Sequence, residues 1–315
     1  QINTAQSGNI TNVACKEVRL KAGYHYIAQP GQSMRTYVDP NAMCQVDYVG
    51  GFNNTNIPPV NTAAEVGNIS AGFAVNETGA AVYQVPVQLP PGTAGLMPSL
   101  SIVYNSYAGD GLLGMGWQIS GLSSITRGSK SIYYDGQIGG INFNNTDVFV
   151  LDGARLFPLI GTNGGNGTLY GTEQESFSVI HSYVSSVTGK LYFLVETKEG
   201  IRMEYGNTAD SYIEAGNSSE AFTWLLNKVE DRLGNYYTIH YTEINNNNTI
   251  EYRPDYIEYT GNVNAGLTPY NKIKFLYNKR SDIIPNYVAG IKILNSVLLT
   301  EIQITFNNII QRRYD

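Results

Sequence analysis

The sequence predicts an all-β fold: a large multi-stranded antiparallel sheet assembly behind a small strand-rich N-terminal module. Three observations carry this. The first is composition. The 315 residues include 24 Tyr and 33 Gly, and charged residues make up only 15%, against about 25% in a typical soluble domain. Polarity comes instead from Asn, Ser, Thr, Gly and Tyr; Tyr and Thr favour strands, Asn and Gly favour turns. The second is alternation of apolar and polar residues with period two over short runs. The third is that no stretch shows a convincing amphipathic helix. The hydrophobic share of 42% is enough for a core, in a chain long enough for one large domain or two ordinary ones.

The elements follow in order. Residues 1–50 read as a small β module. VACKEVRLKAGYHYIAQPGQSMRTYVDP alternates around the turn signals KAG and QPGQS, with Leu20, Tyr24, Tyr26 and Ile27, then Met34 and Tyr37, on short strands. Cys15 and Cys44 fall in this module. They read either as a disulfide stapling it or as two free buried thiols, and two cysteines alone fix neither. Residues 51–62, rich in Gly, Asn and Pro without periodicity, read as a linker or an ordered loop. A β domain over 63–315 follows. Ala71 to Val75 and Ala81 to Leu89 are strand candidates, and Pro86 places the second at an edge or a bulge.

Pro90 to Arg127 is the most informative stretch. Leu100, Ile102 and Tyr104 alternate with Ser99, Ser101 and Val103; NSYAGDGLLGMG follows; then Trp117 and Ile119 alternate with Gln118 and Ser120. This reads as strand, glycine-rich corner, strand. Gly111, Gly114 and Gly116 shape the corner, Leu112 and Leu113 pack it, and Trp117 supplies a buried anchor. Beyond it, Val148 to Leu151 and Arg155 to Leu159 flank Asp152-Gly153, a hairpin signal. Thr162 to Gly171 reads as a glycine-rich loop. Strands resume at Phe177 to Ile180, Leu191 to Thr197, Ile201 to Tyr205, Phe222 to Val229 and Tyr236 to Tyr241. The tract Asn245 to Asn248 reads as a loop. Tyr256 to Tyr259, Ile273 to Tyr277, Leu298 to Phe306 and Ile309 to Arg313 complete the set, the last two joined by a turn at Asn307-Asn308. The sequence stops at Asp315 inside a returning strand, so the expectation is a longer natural chain.

The run PSLSIVYNS, then GDGLLGMGWQISGLSSITR, then VFVLDGARL resembles the N-terminal domain shared by the Salmonella virulence protein SpvB, the B component of insecticidal toxin complexes and large RHS/YD-repeat proteins. TWLLNKVEDRLGNYYTIHY resembles the RHS-type unit of aromatic strand, Asp…Gly-Asn turn and Tyr-bearing strand. The resemblance runs from near Ala63 to the end. The N-terminal module is similar to a small β-module near the ends of secreted Bacteroidetes proteins. The family resemblance implies part of a secreted β-shell protein. In such a protein, strands enclose or present a C-terminal toxic segment, and catalysis, if any, lies in that segment.

Other classes are weighed by the residues they need. A net charge of −6 argues against nucleic acid and against docking on anionic lipid, both of which call for a basic surface. No apolar run reaches a membrane span, so no direct membrane insertion is expected. A start at Gln1 without a signal-peptide pattern is what a mature secreted protein would show. Gly109 to Gly114 fits GxGxxG, but a dinucleotide site needs a helix next, and MGWQIS reads as a strand. His25, His181 and His240 stand apart in strand contexts, without HExxH, CxxC or a nucleophile elbow. Asp110, Asp135, Asp147, Asp152, Glu230 and Asp231 lie near turns; turn formation explains them more simply than calcium, since no calcium-loop pattern is present. The many tyrosines read as sheet packing or as a sugar-binding platform. Sequons at Asn9, Asn68, Asn76, Asn166 and Asn217 follow from Asn-rich turns.

The expected function is therefore a non-catalytic shell or scaffold portion of a secreted RHS-family toxin, not an enzyme, with no cofactor and no metal. Its expected partners are the rest of its own chain and, further out, secretion or carrier proteins. The alternative is a cell-surface adhesin or carbohydrate-binding β module.

Overall fold

The computed structural model describes residues 10–14, 34–38 and 71–315, apart from 215, 217 and 247. The chain divides into two compact units, Gln1–Gly67 and Asn68–Asp315. In the first, β1 (Ile10–Ala14) and β2 (Met34–Val38) pair in parallel, with Val13 beside Tyr37. Cys15, Cys44, His25 and the linker candidate 51–62 lie outside the described residues.

The regular structure of the second unit is almost entirely strand. It opens with β3 (Gly72–Val75), β4 (Ala81–Pro86), β5 (Ser101–Asn105), the short β6 (Asp110–Gly111) and β7 (Gly114–Met115), and β8 (Trp117–Ser120). β3, β4, β5 and β8 form a four-stranded antiparallel sheet in that order. Ile102 lies beside Ile119 and Tyr104 beside Trp117, so the alternation in the sequence is the alternation of faces. Pro86 does not mark an edge strand, because β4 sits between β3 and β5. β3 pairs only with Ala81 to Gln84, so the proline stands past the end of its neighbour and no ladder bond is lost there.

Next come β9 (Ser124–Gly128), β10 (Val148–Leu151), β11 (Ala154–Ile160), β12 (Thr168–Thr172), β13 (Val179–Val184), β14 (Leu191–Glu196) and β15 (Arg202–Tyr205). Each pairs antiparallel with the one before. After β16 (Tyr212–Glu214), β17 (Ala221–Glu230) returns to pair with both β9 and β15. The ring β9 to β15 plus β17 is a closed eight-stranded barrel. A barrel of this size has an interior just wide enough for side chains to fill. Ile125, Phe149, Tyr170, Phe193 and Trp224 are buried together in the core.

The last third is an open arm: β18 (Asn235–Asn246), β19 (Thr249–Asn262), β20 (Asn271–Lys279), the short β21 (Asn286–Val288) and β22 (Ile291–Ile293), β23 (Val297–Phe306) and β24 (Ile309–Tyr314). β17 is the branch point. Its Thr223 to Leu225 pair with β9, and its Lys228 to Glu230 pair with β18. Barrel and arm are thus one sixteen-stranded sheet. Among the described residues helix is confined to the turn α1 (Ile132–Asp135) and a 3-10 turn at Thr93–Gly95.

Turn chemistry sets the register. Asp152 and Gly153 have φ of 46° and 89°, and Asn307 and Asn308 have 46° and 65°. These are the left-handed pairs that two-residue hairpins demand. Two expected loops are partly strand. β12 begins at Thr168 within the glycine-rich loop, and β18 runs through Asn245 and Asn246, which pair with Ile250 and Thr249. A polar tract can belong to a strand whose faces are both wet there.

Candidate functional site

Two places hold the assembly together: the glycine corner and the barrel seam. The corner folds as the β6–β7 hairpin, with Leu112 and Leu113 at its tip and β8 directly after it. The stretch that fits GxGxxG therefore turns between strands, and no helix follows. Leu299 of β23 donates its backbone N–H to the Leu112 carbonyl at 2.7 Å. Arg280, buried, donates to the Gly111 carbonyl at 3.0 Å and to Asp110 at 2.6 Å, with Asp282 also paired to it. Leu113 packs against the core. The corner thus clamps the four-stranded sheet to the arm.

The glycines are there for space. A Cβ on Gly111 would lie 2.3 Å from the Trp117 carbonyl oxygen. Gly116 has φ of +77°, and its Cβ would lie 2.6 Å from the Tyr104 ring. Gly114 begins the return strand. Trp117 differs from expectation. It is half-buried, tilted against Tyr104 at 5.2 Å and edge-on to Tyr83 at 6.4 Å. Its strand is at the edge of a small sheet.

The fully buried tryptophan is Trp224 on β17. Phe149, Phe193 and Tyr212 meet it edge-on at 5.3, 5.1 and 6.1 Å, an arrangement the ring quadrupole favours. Its indole N–H donates to the Leu191 carbonyl at 2.7 Å. Every residue from Ala221 to Asn227 is buried. The run AFTWLLN lacks strict alternation because the strand is covered on both sides, and that was the available signal.

Arg127 of β9 lies in the same core, a role that sequence reasoning did not assign. Its guanidinium donates to the Ala221 carbonyl at 2.7 Å, the Asn144 carbonyl at 2.8 Å, Asp147 at 3.1 Å and Glu220 at 3.2 Å. It also lies over Trp224 and Phe149, at 5.3 and 5.6 Å. Asp147 is buried with it and accepts the N–H of Asn142 and of Asn144. Buried charges need such pairing, because unpaired they cost several kcal/mol. Along the seam, the Thr223 hydroxyl donates to the Ile125 carbonyl at 2.9 Å, and Tyr241 donates to the Leu226 carbonyl at 2.8 Å. Burial pushes the Tyr205 and Tyr241 phenols well above their ordinary range.

The remaining candidates have structural partners. Asp110, Asp135 and Asp147 pair with Arg280, Arg155 and Arg127. Asp152 accepts from Ser123 and from the Ser124 N–H; Asp231 caps the turn before Asn235; Glu230 pairs with Lys228. His181 stands beside Tyr183. His240 stacks on Tyr256 at 4.4 Å, with Asp210 3.5 Å from Nδ1 and the Thr238 hydroxyl 3.2 Å from Nε2. Burial would raise the Asp210 carboxyl, but hydrogen bonds from His240, Thr208 and the Tyr241 N–H outweigh it and hold it at about 2. Among the described residues no group of three or more His, Cys, Asp or Glu is placed to hold a metal, and no helix is long and apolar enough to cross a membrane.

These features define a class, an all-β protein in which a packed barrel and an open arm share one sheet. The family model for SpvB, the Salmonella virulence plasmid 65kDa B protein, matches residues 75–264, and the chain belongs to this family. The N-terminal domain of effector protein SpvB from Salmonella typhimurium strain LT2 superposes with a TM-score of 0.59 at 19% identity, over 70% of this chain and 87% of that one. The crystal structure of TcdB2-TccC3 gives 0.60 at 17% identity, over 76% of this chain and 14% of that one. The Tc holotoxin pore of Photorhabdus luminescens gives 0.58 at 18%, over 78% and 14%. At these identities the likeness is one of fold. The chain spans 14% of the length of the TcdB2-TccC3 and holotoxin chains. No curated protein matches the sequence.

Proposed function

We propose that this chain is the non-catalytic shell or scaffold portion of a secreted bacterial toxin of the RHS kind, which encloses or presents an effector segment carried further along the same polypeptide. The observation that supports the reading is the continuity of the sheet. Barrel and arm form one hydrogen-bonded wall of sixteen strands, and the barrel is filled by aromatic rings around Arg127. In such a wall nearly every backbone group is satisfied by a neighbouring strand, which makes it stiff. Its partners are then the remainder of its own chain and carrier proteins, and it works outside the cell. Membership in the SpvB family and the fold shared with TcdB2-TccC3 support the same reading.

The test is limited proteolysis of the full-length polypeptide, intact and with Trp224→Asp, which opens the barrel. The segment beyond residue 315 should resist cleavage in the intact protein and become cleavable in the variant. Equal cleavage of that segment in both proteins would refute the proposal.

A further inference from the structure

The outer wall of the barrel carries a feature that scaffolding leaves unused. The β10–β11 hairpin turns at Asp152-Gly153. Opposite, residues 173–177 run as an exposed lip between β12 and β13. Between them is a cleft of about 690 Å³, inside the roughly 300–1,000 Å³ range of small-molecule sites.

Its rim is aromatic and rigid. Tyr134 lines the cleft; its ring meets Tyr133 edge-on at 4.7 Å and Phe157 at 5.5 Å. Tyr133 is 83% exposed. The turn that carries it is braced on every side. Ser131 Oγ accepts the Tyr134 N–H, and Asp135 accepts the Ser131 N–H. Arg155 grips Asp135 with two bonds of 2.8 and 2.6 Å, and its guanidinium covers Tyr134 at 4.9 Å and Phe157 at 5.1 Å. A bidentate arginine and a capped turn thus hold the Tyr134 ring, 41% exposed, at the cleft. Such pre-organisation lowers the ordering cost of binding.

The polar lining accepts more than it donates. The carboxylates of Asp152, Glu173 and Glu175 stand with the Gln174 amide and the hydroxyls of Thr172 and Ser176. The one cation, Arg155, is already matched by Asp135. Internal bonds aim the carboxylates: Glu173 accepts the Tyr134 hydroxyl, Glu175 the Phe177 N–H at 2.7 Å, and Asp152 the Ser124 N–H at 2.9 Å. Each keeps free lone pairs. A fitting ligand carries several hydrogen-bond donors, an apolar face for a ring and no negative charge.

We propose that this cleft binds a short neutral oligosaccharide, with a sugar ring against Tyr134 and its hydroxyls donating to Glu173 and Glu175. A saccharide meets all three requirements at once, and its hydroxyl oxygens also serve the Gln174 amide and the Ser176 hydroxyl, while the Thr172 hydroxyl already donates to the Gln174 carbonyl. A basic peptide offers cations to carboxylates in the open, where such pairs contribute little, and leaves those donors unused. The inference rests on the cleft alone and is independent of the scaffold role.

The test is an array of neutral di- to tetrasaccharides with sialylated counterparts, probed with the full chain. Calorimetric titration of the tightest neutral sugar follows, against Tyr134→Ala, Glu175→Gln and, as a control on exposed β21, Tyr287→Ala. Circular dichroism checks that each variant is folded. Saturable binding is expected, weakened about tenfold or more by Y134A and by E175Q, unchanged by Y287A, and absent for the sialylated counterpart. Lack of saturable binding to any neutral sugar, an affinity that ignores Y134A and E175Q, or equal displacement by an oligolysine peptide would overturn it.

Discussion

Gly116 and Tyr104 are in contact across the corner: a Cβ on the glycine would come 2.6 Å from the tyrosine ring. The same ring lies tilted against Trp117, so the missing side chain lets the two aromatics meet. The hairpin so formed is what Leu299 and Arg280 hold on the arm side.

Gly116→Ala should therefore destabilise the protein. The positive φ costs about 1–3 kcal/mol by itself, and the clash adds to it. Urea unfolding followed by circular dichroism checks this; a midpoint equal to that of the native protein would show that the corner has room to relax.

The two tryptophans should behave differently. Trp224→Ala should cost about 3–5 kcal/mol, as for a fully buried aromatic. Trp117→Ala should cost about 1–2 kcal/mol, a fraction of the burial value. With only two indoles in the chain, fluorescence separates them: the W224A protein should emit at longer wavelength than W117A. Equal losses would place both rings in the core.

Arg127 and Asp147 should be coupled. R127M leaves the buried Asp147 charge without its partner, at about 3–5 kcal/mol, and D147N leaves Arg127 only the half-exposed Glu220. The double variant removes both charges and should lose less than the sum of the two. A double-mutant cycle reads the coupling directly, and strict additivity would contradict the shared burial seen in the barrel.

Alkaline pH should loosen the fold in a defined window. Burial pushes the phenols of Tyr212, Tyr237 and Tyr259 up to about 12, from an ordinary 10.0. The fold prefers the neutral phenol, so this contribution is whole below pH 10. It declines as the unfolded chain ionises and is lost as pH rises through about 12. Ultraviolet difference spectra should show these three phenols neutral near pH 11 in folded protein and ionised at that pH in urea.

Local structure was readable because turns announce themselves. Asp152-Gly153 and Asn307-Asn308 specify their hairpins outright, and Ile102, Tyr104, Trp117 and Ile119 alternate as a half-buried pair of strands must. Closure was not readable. The bond from Thr223 to Ile125 joins residues 98 apart, and no periodicity in either segment names the other. For the same reason Trp117, sitting among conspicuous glycines, looked like the anchor, while Trp224 lay in a run apolar enough to hide its importance. Arg127 was invisible as a core residue because a lone arginine at a strand end reads as surface until its acceptors, on Ala221, Asn144 and Asp147, are brought round it.

β17 belongs to the barrel through β9 and β15 and to the arm through β18. A load on the arm therefore reaches the barrel staves through one short seam, Lys228 to Glu230 against Tyr236 to Thr238, and that seam is where the two halves share their fate.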